Sequence, residues 1–263
     1  MLKLAVVGAC GRMGLRLNAM GHESGLFELV GPVTFAGDVQ LGKDIGELAG
    51  IGGIGIPVSS DLPITPDVLI DFSIPTATLK WLPYYVTHQI PAVIGTTGFS
   101  EDEIKLIGEA ATKIPIVFAA NMSLGVNLLF KLANQVAQTL DDAYDIEISE
   151  VHHRFKRDAP SGTAMELARQ VAAGKSWPFP DCLQHGREGG DVLREEKTIG
   201  MHALRLGDTV GIHDVHFSTL GETITLHHHA QSRDTFVRGA LHAAKWLTNK
   251  EKGLYSMFDV LGL

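Results

Sequence analysis

The sequence predicts an α/β protein: a doubly wound parallel sheet, plus a smaller α+β domain with a mainly antiparallel sheet. Three observations carry that expectation. A strand-like run, Leu2 to Val7, passes at once into Gly8-Ala-Cys-Gly-Arg-Met-Gly14 and a helical stretch through Leu17 and Met20. Three more short apolar runs have buried-strand length: Asp67 to Phe72, Pro91 to Gly95 and Ile114 to Ala119. Beyond Thr198 the apolar period changes to two. The segments Thr198 to Arg205, Val210 to Ser218 and Glu222 to Ala230 then read as an antiparallel meander.

In chain order, strand, glycine turn and helix open a dinucleotide-binding βαβ unit of the Rossmann type. Its glycines let backbone approach a pyrophosphate at the helix N-terminus. The spacing is G-x-x-G-x-x-G, with Cys10 where the usual fingerprint has its second glycine, and Arg12 is the best local phosphate partner. The next strand, Phe27 to Phe35, ends where the fingerprint expects an acid for NAD or a nearby arginine for NADP. Here Thr34 and Phe35 stand instead, with Asp38 further along, so the choice of cofactor stays open. Gly37 to Pro57 reads as loop. Ligands of such a sheet lie beyond the carboxyl ends of its strands, which puts Phe72-Ser73, Gly95-Thr96-Thr97 and Ala120-Asn121-Met122 around the dinucleotide. Ser100 and Glu103 have capping-box spacing, and Leu124, Leu128, Leu132 and Val136 mark a helix that leaves the first domain.

The densest chemistry lies in Glu150-Val-His-His-Arg-Phe-Lys-Arg-Asp-Ala-Pro-Ser-Gly-Thr163. His152, His153, Arg154, Lys156 and Arg157 make a positive pocket in an otherwise acidic protein, which points to an anionic ligand. Ile146 and Ile148 mark a strand that ends where the His pair begins, and Ala159-Pro160 forces a turn into a helix capped by Ser161. Ala164, Leu167, Ala168, Val171 and Ala172 give that helix its apolar stripe. Its free amides are a second anion-binding device beside the first, as a small dicarboxylate requires. Gln184 to Asp191 reads as a mobile lid or a flexible loop. His227, His228 and His229 invite a metal reading, but neighbours on a strand point to opposite faces, and no metal site is expected. Asp234 to Leu247 is a last amphipathic helix of the first domain's kind, expected to return to that sheet.

Composition narrows the function classes. A chain of 263 residues, 45% apolar, has room for one large or two modest domains. Thirty acids against 22 Lys and Arg give a charge of −8 with no basic tail, which argues against nucleic acid. No apolar run reaches membrane-spanning length and the first strand lacks a signal peptide's pattern, so the cytoplasm is the expected compartment. Cys10 and Cys182 read as free thiols.

Glu150 to Ala164 closely resembles the signature of the 4-hydroxy-tetrahydrodipicolinate reductases, also called dihydrodipicolinate reductases, of bacterial lysine and diaminopimelate synthesis. Gly8 to Gly14, Asp71-Phe-Ser, Gly95-Thr-Thr-Gly-Phe99, Ala120 to Asn127, Arg187-Glu-Gly189, Thr198-Ile-Gly200 and Lys252-Gly-Leu-Tyr resemble family segments in the family's order. The resemblance spans essentially the whole chain. It implies a nicotinamide-dependent reductase of a small cyclic dicarboxylate. Residues 1–122 plus 234–263 would form the dinucleotide-binding domain, and residues 123–233 a substrate domain that builds a homotetramer. By matching position, His152 would be the acid/base residue and Lys156 the proton donor, His153 would bind substrate, and Gly162 and Thr163 would hold a carboxylate. Gly8, Ala9, Cys10, Gly11, Arg12, Met13, Thr34, Gly95, Thr96, Thr97, Ala119, Ala120, Asn121 and Met122 would line the cofactor. Many members carry an acid followed by Arg where this chain has Thr34-Phe35, so NADH and NADPH both stay open. A nucleotide-sensing module without catalysis, its basic cluster contacting a partner protein, is the alternative of a different class.

Overall fold

The structure, a computed structural model, describes all 263 residues. Contacts divide the chain into two compact units, Met1–Leu124 with Asp234–Leu263, and Gly125–Arg233. Elements are numbered along the chain.

The first unit is a six-stranded parallel sheet in the order β11-β5-β4-β3-β1-β2. Its strands are β1 (Leu2–Val7), β2 (Phe27–Val33), β3 (Val68–Asp71), β4 (Ala92–Ile94), β5 (Pro115–Phe118) and β11 (Gly253–Tyr255). Successive side chains on each strand feed two cores. Leu4, Val6, Val68, Ile70, Val93 and Val117 pack on one face, against α1 (Arg12–Glu23) and α7 (Asp234–Leu247). Ala5, Val7, Leu69, Ala92, Ile94 and Ile116 pack on the other, with α3 (Pro75–Thr87) and α4 (Glu101–Ala111). Burial on both faces explains why these strands read as continuous apolar runs. The capping box at Ser100 forms, with Glu103 Oε2 accepting from the Ser100 amide at 2.7 Å.

Three local readings change. β2 ends at Val33, two residues short of Phe35. The Gly37 to Pro57 region contains a short helix, α2 (Ile45–Ala49), because Asp44 caps it by accepting the Gly46 amide at 2.8 Å and also accepts those of Ile54 and Gly55. The chain's end adds β11 and a capped turn of helix, α8 (Met257–Leu261), neither of which the sequence reading placed.

The second unit is a five-stranded sheet in the order β10-β9-β6-β8-β7, formed by β6 (Asp145–His152), β7 (Leu183–His185), β8 (Ile199–Arg205), β9 (Gly211–Thr219) and β10 (Glu222–Ala230). It is mixed, which corrects the antiparallel meander. β9 pairs antiparallel with β10 and with β6, but β8 runs parallel to both β6 and β7. Alternation reports that a strand has one buried face and says nothing about its neighbours, so β6 threading between β8 and β9 left no local trace. Part of the expected lid, through His185, is strand β7. Two helices complete the unit, α5 (Leu124–Thr139) and α6 (Gly162–Lys175). α6 buries Ala164, Leu167, Ala168, Val171 and Ala172 against β6, β8 and β9. The two helices approach closely at Gly174, where a Cβ would lie 2.6 Å from the Asn134 carbonyl oxygen.

Candidate active site

In the first unit the expected ligand-binding residues share one edge. The strand ends are in register: Val33, Val7, Asp71, Ile94 and Phe118 lie side by side across β2, β1, β3, β4 and β5. Gly8, Thr34, Phe72-Ser73, Gly95 to Thr97 and Ala119 to Met122 therefore follow one another along the carboxyl edge. The sheet's strand order reverses between β1 and β3, where open α/β sheets place their ligands.

The glycine turn is built by close backbone approach. Gly8 has φ +81° and donates its amide to the Val33 carbonyl, as does Ala9; a Cβ at Gly8 would lie 2.5 Å from the Phe72 carbonyl oxygen. A Cβ at Gly14 would lie 2.1 Å from the Gly8 carbonyl oxygen, so α1 starts directly against the turn. Gly11, the N-cap of α1, offers no side-chain cap, leaving the first-turn amides to a ligand. These residues fit a pyrophosphate. Ala9 and Met122 are buried in the core, so what they offer a ligand is backbone.

Two carboxylates on this edge have bonding partners that the sequence does not show. Asp71 is fully buried; it accepts from the Ser73 hydroxyl at 2.6 Å, the Thr96 hydroxyl at 3.2 Å and the Tyr85 hydroxyl at 3.2 Å. Burial raises its carboxyl above the ordinary range, and these bonds only partly offset it. It pins the ends of β3 and β4 together. Asp38 lies beyond the end of β2, yet its chain turns back so that Oδ2 accepts from the Thr34 hydroxyl at 2.6 Å and Oδ1 from the Gln40 amide at 2.9 Å. Those bonds hold its carboxyl below the usual range. The carboxylate absent from position 34 is thus returned there by a residue four further on.

The second unit gathers the motif residues around a buried carboxylate. The two-residue period of β6 puts Glu150 and His152 on the same buried face as Ile146 and Ile148. Glu150, only 1% exposed, accepts from His152 Nδ1 at 2.5 Å, from the Ser161 amide at 3.0 Å and from both terminal nitrogens of Arg205 at 2.9 Å. Burial pushes Glu150 up, but Arg205 and His152 outweigh it and its carboxyl stays below the ordinary range. His152 is lowered by burial, against the pull of Glu150. His213, the cross-strand partner of Glu150, lies 3.0 Å from the Ser161 hydroxyl and is lowered to about 3, first by burial and then by His152. Ser161 caps α6, accepting the Ala164 amide at 3.2 Å.

The expected cations divide. Lys156 is half-buried and pairs with Asp158 at 2.9 Å, and its backbone amide bonds the His153 carbonyl. Arg154 and Arg157 are exposed. His153 is half-buried with Nδ1 unpartnered, 6.4 Å between ring centroids from Phe155. Gly162 and Thr163 start α6, and a Cβ at Gly162 would meet nothing within 4 Å, so that approach is open. His227 and His229 are exposed while His228 is half-buried, as alternation requires. Glu150 could have been flagged as an acid on a buried stripe; Arg205 and His213 could not, since register brings them there.

Residues 2–122 match the family described as dihydrodipicolinate reductase, N-terminus, and residues 125–261 that described as dihydrodipicolinate reductase, C-terminus. The chain belongs to the dihydrodipicolinate reductase family. Among curated relatives, a 4-hydroxy-tetrahydrodipicolinate reductase of Syntrophus aciditrophicus (strain SB) is 47% identical, covering 100% of this chain and 99% of the relative. One of Magnetococcus marinus (strain ATCC BAA-1437 / JCM 17883 / MC-1) is 46% identical over 99% and 98%. Among solved structures, a dipicolinate-bound dihydrodipicolinate reductase from Paenisporosarcina sp. TG-14 superposes with a TM-score of 0.78 at 25% identity, covering 98% of each chain. An amine dehydrogenase from Mycobacterium smegmatis, 12% identical with a TM-score of 0.66 and coverage of 97% and 95%, shares the fold. As a dihydrodipicolinate reductase family member the chain is an oxidoreductase. None of its helices is long and apolar enough to cross a membrane.

Proposed function

We propose that the chain reduces 4-hydroxy-tetrahydrodipicolinate to tetrahydrodipicolinate in lysine and diaminopimelate synthesis, in the cytoplasm. The net change adds one hydride and one proton and releases one water. The observation that carries this reading is the buried Glu150–His152 pair beside the open N-terminus of α6, an acid next to an anion cradle, in a chain 47% identical to a reductase of that name.

A reduced nicotinamide, when bound, supplies the hydride. Gly8 to Met13, Thr34, Gly95 to Thr97 and Ala119 to Met122 would hold it, with the pyrophosphate on the first-turn amides of α1. Asp38 favours NADH, because a carboxylate accepts from a ribose diol and repels a 2′-phosphate. His153, Gly162 and Thr163 bind the substrate's carboxylates. Hydride delivery leaves negative charge on the conjugated ring system. His152 and Lys156 stabilise that charge and return a proton, a contribution of roughly 10²–10⁴ in rate.

His152→Ala and Lys156→Ala are each expected to lower turnover by at least about tenfold with the thermal midpoint little changed. The measurement is oxidation of reduced nicotinamide on freshly generated substrate. Wild-type turnover in both variants would overturn the mechanism, and cofactor binding without any turnover in the parent would favour a sensor.

The exposed apolar side chains Leu204 and Ile224 on the second sheet, with Leu220 in the turn between β9 and β10, support a homotetramer built through that sheet. Sedimentation equilibrium is expected to give four times the 28.3 kDa chain mass, and a monomer at micromolar concentration would refute it.

A further inference from the structure

We propose that Glu150 is a positioning residue for His152, holding the imidazole's Nδ1 proton so that Nε2 is the nitrogen offered to substrate. The inference rests on the reading of His152 as the acid. Glu150 is already saturated: Oε2 accepts from His152 and Arg205, and Oε1 from the Ser161 amide and Arg205. An ionised carboxylate only accepts, so the proton on the facing imidazole nitrogen is fixed at Nδ1. Arg205, the in-register neighbour of His152 on β8, supplies the positive charge that keeps a carboxylate ionised at 1% exposure. Nε2 has no hydrogen-bond partner within the chain. Residue 211 on β9 keeps it clear: a Cβ there would lie 3.1 Å from Nε2, tight enough to crowd it, and the residue is glycine.

The proton balance favours this arrangement. The imidazolium breaks its Nε2–H bond, the proton forms a new bond at the substrate, and the electron pair stays on Nε2. What remains is neutral imidazole with its proton on Nδ1, the tautomer that Glu150 already holds, so no rearrangement accompanies transfer. Through the Ser161 amide the same carboxylate holds the N-cap of α6. One buried group thus fixes both the acid and the start of the carboxylate-binding helix. The charged and titratable groups facing His152 are Glu150 on its own strand, Arg205 on β8, His213 on β9 and Lys156 in the following loop. Glu150 is the one among them that favours the imidazolium.

The test is Glu150→Gln, which keeps shape and removes charge. Turnover is expected to fall at least about tenfold, with the Michaelis constant for reduced nicotinamide within about twofold of the parent. The alkaline fall of the turnover–pH profile should move to lower pH, because the group that raises the basicity of His152 is gone. Nitrogen-15 spectra of histidine-labelled protein should show His152 protonated at Nδ1 in the parent and shifted toward Nε2 in the variant. Arg205→Lys, which keeps the charge and loses the fork, should show the same changes at smaller amplitude and carries the test if Glu150→Gln does not fold. An unchanged pH profile and an unchanged Nδ1 signal in a folded variant would overturn the inference. Undiminished turnover in His152→Ala would instead overturn the reading beneath it.

Discussion

At the scale of single residues, the chain shows how a missing group is restored from elsewhere in sequence. Thr34 and Phe35 follow directly on the end of β2, and neither can accept from a ribose diol as a carboxylate does. Asp38 returns a carboxylate to that place from a turn that folds back onto the Thr34 hydroxyl at 2.6 Å. Cys10 of the glycine turn feels the same group, its thiol raised first by burial and then by the Asp38 charge. The carboxylate therefore lies where the turn and β2 meet. Asp38→Asn keeps the bonding shape and removes the charge that repels a 2′-phosphate. Affinity for NADPH, read from quenching of protein fluorescence, is expected to rise at least about threefold relative to NADH, a shift of roughly 0.7 kcal/mol. A ratio identical to the parent's would remove Asp38 from cofactor selection.

At the scale of elements, what the sequence disclosed follows the range of the interactions involved. β1, the glycine turn and α1 were legible because period, glycine spacing and helix start are local features. So was the Ser161 cap, whose hydroxyl bonds an amide three residues on. Helix α3 was not placed, since Pro83 in its interior reads as a break; the proline instead leaves its own carbonyl bonded to the Thr87 hydroxyl at 2.8 Å. The order of the second sheet was illegible for a different reason. β6 and β8 are separated by more than forty residues and pair in parallel, and only their register brings His152 beside Arg205. The residue types of the candidate site could be read, but not the network that joins them. Glu150 meets Arg205 and Ser161 across three elements, and Asp71 meets Thr96 across two strands. Glycines show the same split: Gly8 announced a turn, whereas Gly95 gave no sign that a Cβ there would lie 2.3 Å from the Phe72 ring.

At the scale of the whole chain, the buried ionisable groups are unevenly distributed between the units, with a consequence for acid stability. In the second unit Glu147, Glu150, His152, His213 and His228 are all lowered. Glu147 is pushed up by burial, but Arg187, His202 and Arg194 hold it down to about 2. His213 takes a proton near 6.5 when unfolded and near 3 when folded. Between those values the unfolded state binds more protons, so stability is complete above about pH 6.5 and is lost as the pH falls toward 3. From His213 alone the loss by pH 4.5 is on the order of 2 kcal/mol. Glu147 extends the loss from pH 4.5 down to about 2. In the first unit Asp38, Asp44 and Asp259 are also lowered, but the stability they contribute is lost only below about pH 4. Buried Asp71 is raised, so it binds protons more readily folded and opposes acid unfolding. Acid should therefore melt Gly125–Arg233 first, and a single two-state transition should fail. Of the three tryptophans, Trp177 lies in the second unit and Trp81 and Trp246 in the first, so each can report separately. With both first-unit tryptophans replaced by Phe, the urea midpoint from Trp177 is expected to fall between pH 7 and pH 4.5, ahead of that from Trp81 and Trp246 in a Trp177→Phe variant. Coincident midpoints that stay flat down to pH 4.5 would show that His213 is not held neutral in the folded chain.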